Sequence, residues 1–276
     1  MSRSTTRRKV LRIRAGVVDE HVDSLAVENP LTVRVGHADQ VDQLDAVLTT
    51  MRTPGHDIDL ALGWLVSEGV LTTSDDVAEA RECRRLDDEG HEGETVEVRL
   101  RTRRRPRERL SWVSSACGAC GAIAVESVVA DAKGVATAST LTVTPDLLAG
   151  MPDQLRQDQR AFSLSGGLHA AGLFDAEGSL LCAREDVGRH NAVDKVVGWA
   201  LREGVLPLDR HVLQLSGRAS FELVQKAAMA GVPVVAAVSA PSSLAVELAE
   251  ATGVMLAGFV RGSSMNVYAH PERLTR

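Results

Sequence analysis

From Leu180 onward, short apolar runs alternate with helix-length amphipathic stretches, and that rhythm restricts the fold more than any single motif. LLCA (180–183), HVLQL (211–215), VPVVAAV (232–238) and VMLAGFV (254–260) read as strands. Between the first two, Val193, Val196, Val197, Ala200 and Leu201 recur at helical spacing, and Gly204 ends the pattern. Further helices are expected over 220–230 and 243–251. Strand and helix in alternation imply right-handed crossovers and a largely parallel sheet. Near-continuous apolar runs are what strands buried on both faces look like. The fold class is therefore α/β, with the connecting loops gathered outside the carboxyl ends of the strands, where open α/β sheets bind ligands.

Those loops share a chemistry. The first carries Arg184, Glu185, Asp186, Arg189 and His190, and the second Ser216, Gly217 and Arg218. The third carries Ser239, Ser242 and Ser243, and the fourth Arg261, Gly262, Ser263 and Ser264. Glycine admits close backbone approach, serine hydroxyls and helix N-termini suit phosphate, and arginine grips it through two donors. Taken singly, each loop reads as a capped turn. Together at one edge they point to an anionic ligand such as a nucleotide. There is no GxxxxGK[ST], so none is a P-loop. SGG (165–167), followed by His169, reads equally as a close-approach loop or a plain turn. REDVGRHNAVDK packs Glu185, Asp186, Arg189, His190, Asn191, Asp194 and Lys195 into eleven positions, so some of these must pair with one another. A structural ion-pair network and an acid–base role for His190 both fit that density.

The first half mixes element types. Leu31 to Val35 reads as a strand, and Thr53-Pro54-Gly55 as a turn. A helix is expected next, with Ile58, Ala61, Leu62, Leu65 and Val66 on one face and Gly69 beyond its end. TVEVRLR (95–101) alternates as a half-buried strand. AIAVESVV (122–129) suits a helix or a strand, and 147–159 suits a helix. The domain division is a basic disordered tail over 1–14, an α+β domain over 15–113, a cysteine loop and linker over 114–140, and a nucleotide- or cofactor-binding domain over 141–276.

Composition removes several function classes. A net charge of −6 offers no general attraction to polyanions, and 3% aromatics leave no stacking platform for single strands. The basic runs at 1–14 and 101–109 hold no reading motif, so no nucleic-acid partner is expected. No apolar run approaches the roughly 20 residues of a membrane helix, and no apolar segment follows the basic start. The expectation is a cytoplasmic chain with no membrane partner.

SSACGACG (114–121) places Cys117 and Cys120 three apart among small residues. Two such thiols suit a metal, a redox disulfide or a carried sulfur atom. Structural zinc commonly takes four ligands, and Cys83 and Cys182 stand apart as candidate buried small hydrophobes, so no permanent metal is expected. A zinc deaminase needs H-x-E ahead of P-C-x-x-C, whereas the H-x-E here is His270-Pro271-Glu272, after the cysteines. A redox pair would sit near a helix start, which lowers a thiol pKa, and Cys117 fits such a place if AIAVESVV is a helix. The glycines and alanines around the pair suit handing something between partners as well as they suit redox.

SSACGACG, TPGHDIDLALGWLVSEGV, SGGLHAA, REDVGRHNAVDKVVG, SGRASFELVQKAA, SAPSSLAVELA and GFVRGSSMNVY occur together and in order. In this the chain resembles the FdhD family, sulfurtransferases required for formate dehydrogenase activity, over about Val22 to His270. Ser165 in SGGLHAA stands where Thr is the family's expected residue. The resemblance implies a two-part fold with a cytidine-deaminase-like C-terminal domain lacking the deaminase zinc set. It implies a sulfur accepted from a cysteine desulfurase as a persulfide on Cys117, with Cys120 as second motif cysteine. It implies transfer to a molybdenum (or tungsten) cofactor carrying two pterin guanine dinucleotides, a bis-(molybdopterin guanine dinucleotide) client bound at Phe259, Val260, Arg261, Gly262, Ser263 and Ser264. The cofactor then enters formate dehydrogenase. A homodimer is implied as well. Ser216, Gly217, Arg218, Ser239, Arg189 and His190 complete the expected ligand edge, and the phosphates of a guanine dinucleotide would match it.

Overall fold

The computed structural model describes residues 4–40, 43–86, 92–106, 118–132 and 134–275. The chain opens with a ribbon of β1 (Thr5–Arg14) and β2 (Val17–Ala26). Ala15 and Gly16 both take positive φ, 47° and 83°, the conformation of a two-residue hairpin turn whose twist matches its strands. The expected disordered basic tail is corrected from Thr5 on, because β2 supplies the charges that β1 lacks. Arg12 Nη2 donates to Asp19 at 2.6 Å, and Arg8 stands in register opposite Asp23. A domain beginning at residue 15 would cut this ribbon in two.

β3 (Asn29–His37), β4 (Asp45–Arg52), β5 (Val77–Leu86) and β6 (Glu92–Leu100) form a sheet ordered β4-β3-β6-β5. Leu31, Val33 and Val35 of β3, with Val96, Val98 and Leu100 of β6, turn into the core beneath α1 (Asp57–Ser67). The expected helix face is buried, with Ala61, Leu62, Leu65 and Val66 nearly inaccessible and Ile58 partly covered. Gly69, at φ 73°, carries the chain out of the helix, its N–H bonded to the Val66 carbonyl.

Beyond Cys117 come α2 (Gly118–Asp131), which includes Cys120, and the short α3 (Val135–Ala138). From Gly118 on, the expected loop and linker is therefore largely helical. Val128, Ala132 and Ala136 join the main core, and burying them there favours helix over the strand that AIAVESVV also allowed.

The second sheet follows α4 (Pro145–Asp158) and α5 (Arg160–Ser165). Its strands are β7 (His169–Phe174), β8 (Leu180–Asp186), β9 (Val212–Leu215), β10 (Val234–Ala237), β11 (Met255–Arg261) and β12 (Ser264–Ala269), in the order β12-β11-β10-β9-β7-β8. Helices α6 (Arg189–Arg202), α7 (Phe221–Met229) and α8 (Ser243–Thr252) connect β8 to β9, β9 to β10 and β10 to β11. The β9–β10 and β10–β11 pairs are parallel, whereas β7 and β12 run the other way. β8 pairs antiparallel with β7, so it points the same way as β9, β10 and β11 although β7 lies between. The carboxyl ends of all four expected strands thus reach one edge. Residues alternate across this sheet. Leu213, Leu215, Val235, Ala237 and Leu256 face the main core, while Val212, Val234, Ala236, Met255 and Ala257 face a second cluster built on Leu148, Met151 and Leu155 of α4.

The two halves meet where α1 crosses α6 with almost no space between backbones. A Cβ on Gly63 would stand 1.8 Å from the Asp194 carbonyl oxygen, and one on Gly198 would stand 1.8 Å from that of Asp59. One apolar cluster runs from Leu31 of the first sheet to Ala269 of the second. Among the described residues no helix is long and apolar enough to cross a membrane.

Candidate functional site

At the carboxyl edge of the second sheet lies a cavity of about 670 Å³. The sheet contributes Ser216 after β9, Val238 after β10, and Val260, Arg261 and Gly262 at the β11–β12 turn. The reversed strand β7 brings its first residue, His169, and the preceding Gly166 and Gly167 to the same edge. From the opposite side α4 and α5 add Arg156 and Phe162, whose guanidinium and ring stack at 4.1 Å.

The floor is positioned by backbone. Ser216 Oγ accepts from the Ala170 N–H at 2.8 Å, and the Ser216 N–H donates to the Ala170 carbonyl. Gly217 leaves room for the His169 ring, since a Cβ there would lie 3.3 Å from Nδ1. The ladder between β11 and β12 breaks between Gly258 and Arg261, and Phe259 sits at φ 53°, half-exposed. A non-glycine residue held there stores strain of the kind that clusters at ligand sites. Its N–H bonds the Ser239 carbonyl at 3.3 Å. Arg261, Gly262, Ser263 and Ser264 are exposed around the turn that follows.

Electrostatically the edge is cationic. Burial, then the charges of Arg189, Arg218 and His190, hold the His169 imidazole below the ordinary histidine range. Arg189 Nε is buried with no hydrogen-bond partner among the described residues, a donor left available. His190 Nε2 lies 2.8 Å from Glu222 and 3.5 Å from Ser220 Oγ. A ligand bearing phosphates would find guanidinium groups, backbone glycines and a neutral imidazole on one wall.

Of the expected ligand residues, Ser216, Val260, Arg261 and Gly262 line the cavity; Gly217 lies against the His169 ring, and Arg218, Arg189 and His190 act on that ring through their charges without lining the cavity. Ser239 acts here through its carbonyl. Ser242 caps α8, its Oγ accepting from the Ala245 N–H. The charged run after β8 divides. β8 extends through Asp186 and α6 starts at Arg189, so Val187 and Gly188 are all that remains of the expected loop. Arg184 pairs with Asp59 at 3.1 Å, and Glu185 accepts from the Ala161 and Phe162 N–H groups at the start of α5. Asp186, fully buried, accepts from Thr53 N–H, Gly188 N–H, Asn191 and the Lys195 ammonium, the last at 2.6 Å. Asp194 pairs with Lys226 and Ser67. Most of the run is thus a structural network that holds α6 against α1 and the Thr53 turn, and it leaves Arg189 and His190 at the start of α6, where their charges reach His169.

His169 stood in the sequence only as part of a possible turn, and Arg156 and Phe162 carried no signal at all. Their neighbours Met151 and Leu155 bury the helix face that brings them over the sheet, and only the chain's path across that face places them.

Cys117 lies outside the described residues. The backbone of Cys120 belongs to the first turn of α2. Cys182 is buried in the main core, and burial pushes its thiol up to about 12, so it is inert as a nucleophile at neutral pH. Cys83 is partly buried, and burial together with Glu97 raises its pKa too.

A family model described as the FdhD/NarQ family matches residues 26–275. A protein named sulfur carrier protein FdhD from Streptomyces coelicolor is 50% identical over 281 residues, covering 99% of this chain and 97% of that one. The protein of the same name from Nocardia farcinica is 49% identical over 273 residues, covering 99% and 95%. That from Mycobacterium tuberculosis is 45% identical over 283 residues and covers both chains fully. Among solved structures, one assigned as a formate dehydrogenase accessory protein from Desulfotalea psychrophila superposes with a TM-score of 0.73 at 21% identity, covering 99% of this chain and 100% of that one. That likeness concerns the fold.

Proposed function

The chain belongs to the FdhD/NarQ family, and from that membership we propose that it is a sulfur carrier for formate dehydrogenase, a sulfurtransferase whose Cys117 holds the sulfur as a persulfide. The names of its relatives support the sulfur-carrying role. The donor is a cysteine desulfurase and the setting the cytoplasm. The Cys117 thiolate attacks the outer sulfur of the donor's persulfide, the sulfur–sulfur bond there breaks, and the donor leaves as a thiolate. Cys117 then carries the outer sulfur. No oxidant is consumed, because the sulfane sulfur moves without changing its oxidation state. Cys120 is the second motif cysteine, as a relay or as a thiol that can discharge the persulfide.

The acceptor is the bis-(molybdopterin guanine dinucleotide) molybdenum cofactor, bound as substrate at the carboxyl edge of the second sheet and then passed to formate dehydrogenase. The cationic wall around the cavity carries this part of the reading. Arg261 and Arg218 would take phosphate oxygens, Arg189 has a buried donor to give, and Gly262 and Gly217 let backbone and ring come close. His169, held neutral, adds a hydrogen-bonding group at no desolvation cost for a second charge.

Titration calorimetry with guanosine diphosphate tests the site. Arg261→Ala should weaken binding by about 10-fold or more, the worth of a charge-assisted hydrogen bond to phosphate. Cys117→Ala should bind the nucleotide as wild type does yet fail to restore formate dehydrogenase activity in cells lacking the chain. Equal affinity of Arg261→Ala and wild type would remove the cavity from the reading. Full restoration by Cys117→Ala would remove the sulfur chemistry and leave a cofactor-binding chaperone.

A further inference from the structure

A second cavity, of about 690 Å³, opens in the first half of the chain and shares no lining residue with the ligand edge. Its floor is apolar, made by Val35 of β3, Leu48 of β4, Trp64 of α1 and Leu100 of β6. Its rim is the basic run for which composition gave no nucleic-acid role: Arg103, Arg104 and Arg105 all line it. Two backbone features shape the wall. Val33 pairs with Leu48 but Arg34 with Ala46, so Val47 is an extra residue that bulges from the edge strand β4. Such bulges gather beside functional sites, where they re-aim side chains. Gly36 admits the returning chain, since a Cβ there would overlap the Gln43 carbonyl oxygen.

The three arginines are loosely held. Others in this half are not: Arg12 lies 2.6 Å from Asp19, Arg52 2.6 Å from both Asp57 and Glu94, and Arg81 2.8 Å from Glu97. At the cavity, Arg103 stands 3.7 Å from Asp39, Arg104 3.5 Å from Asp76 and Arg105 3.4 Å from Asp45. A charge-assisted hydrogen bond spans about 2.7–2.9 Å, and exposed pairs looser than that hold little. Asp76 is in any case satisfied by the Thr72 and Thr73 N–H groups and the Thr72 hydroxyl, at 2.8 to 3.2 Å. Asp45 is the one carboxylate among the lining residues, so three cations answer to one anion above an apolar floor.

That combination selects a ligand class. Cavities of about 300–1,000 Å³ with an apolar lining and a few convergent polar groups suit small molecules. An inorganic ion would leave the floor uncovered, and a neutral apolar molecule would leave the guanidinium forks unused. From the apolar floor and the loosely held arginines over it, we propose that this cavity binds a small organic anion with a flat apolar body. Its body lies against Leu48 and Trp64, and its carboxylate or phosphate is taken by Arg104 and Arg105.

Titration calorimetry of the full chain with naphthalene-2-carboxylate and with 2-naphthyl phosphate reads this out. Guanosine diphosphate in excess keeps the edge of the second sheet out of the signal. Wild type should bind at least one of the two anions with one-to-one stoichiometry, and the tighter one names the head group. 2-Naphthylmethanol and inorganic phosphate, each carrying half of the chemistry, should bind about 10-fold more weakly or less. Arg104→Ala/Arg105→Ala changes exposed side chains and should weaken the anion by about 10-fold or more while leaving the alcohol unaffected. Val47→Trp fills the cavity from an edge strand and should abolish binding of both, with an unchanged far-ultraviolet circular dichroism spectrum. If that variant loses secondary structure, the arginine pair decides. Failure of both anions to bind wild type overturns the proposal. So does an alcohol that binds as tightly as the anions, an arginine variant that binds them as wild type does, or a folded Val47→Trp chain that still binds. Both variants should bind guanosine diphosphate as wild type does, so either site can fail while the other stands.

Discussion

Gly63→Ala should leave a chain that is barely folded at physiological temperature, although alanine is the better helix former. The added methyl carbon would sit 1.8 Å from the Asp194 carbonyl oxygen and 2.8 Å from the Gly198 nitrogen, and both are backbone that cannot turn aside. Helices α1 and α6 would have to separate by more than an ångström. Leu60, Ala61 and Leu65 would then draw away from Ala192, Val193, Val196 and Val197, all in the main core. Overpacking alone costs about 1–3 kcal/mol, and lost contacts along a whole helix seam raise that to about 3–5 kcal/mol, a large part of a typical domain's 5–15. At this chain length the loss corresponds to a fall of roughly 10 °C or more in Tm. Gly198→Ala should match it, because its Cβ meets the Asp59 carbonyl at the same distance. The double substitution should cost less than the sum, because the first methyl has already forced the helices apart. Thermal unfolding of the three variants checks this, and Tm values within about 2 °C of wild type would contradict the backbone-to-backbone crossing.

Asp186→Ala should be nearly as severe, and for an electrostatic reason. The Lys195 ammonium is 1% exposed, and burial already lowers its pKa despite the carboxylate at 2.6 Å. Without that carboxylate it keeps only the Thr53 and Glu185 carbonyls, while the Thr53 N–H, the Gly188 N–H and the Asn191 amide each lose an acceptor. Breaking one side of a buried pair costs about 3–5 kcal/mol. Asp186→Leu/Lys195→Met removes both charges and should recover a substantial part of that loss, which denaturant unfolding of the singles and the double would measure. Equal destabilisation of double and single would mean that the pair is not coupled. Because Asp186 also holds Gly188 ahead of α6, where Arg189 and His190 start the helix, Asp186→Ala should weaken nucleotide binding even at temperatures where it stays folded.

The legible part of this fold is the part whose burial is two-sided. HVLQL, VPVVAAV and VMLAGFV announced themselves because both faces of β9, β10 and β11 are covered, so no polar residue interrupts the apolar run except Gln214. The direction of β8 was legible as well, and with it the edge where the loops gather. That β8 lies at the margin with β7 beside it was not, because HAAGLF is too short and glycine-broken to declare a strand, and its antiparallel pairing with β9 depends on contacts more than 35 residues away. The first ribbon was hidden by its charge: a strand whose arginines find carboxylates on the next strand looks, one residue at a time, like a solvated tail. Gly63 and Gly198 are 135 positions apart, and neither is unusual until the helices cross. In the site, Arg261, Gly262 and Ser216 followed from their places after strands, whereas Arg156 and Phe162 reach the cavity from the far face of the sheet. REDVGRHNAVDK was visible as a dense charge cluster, but its partners Thr53 and Asp59 come from the other half of the chain.

Whether the close thiols carry sulfur is decided by mass spectrometry of the intact protein and its peptides after incubation with a cysteine desulfurase and cysteine. Wild type should gain one sulfur atom on Cys117, removable by reductant. Cys117→Ala should gain none there, and Cys120→Ala should still be loaded. A wild-type chain that gains no sulfur from a desulfurase shown to be active in the same tube would contradict the sulfur-carrier account.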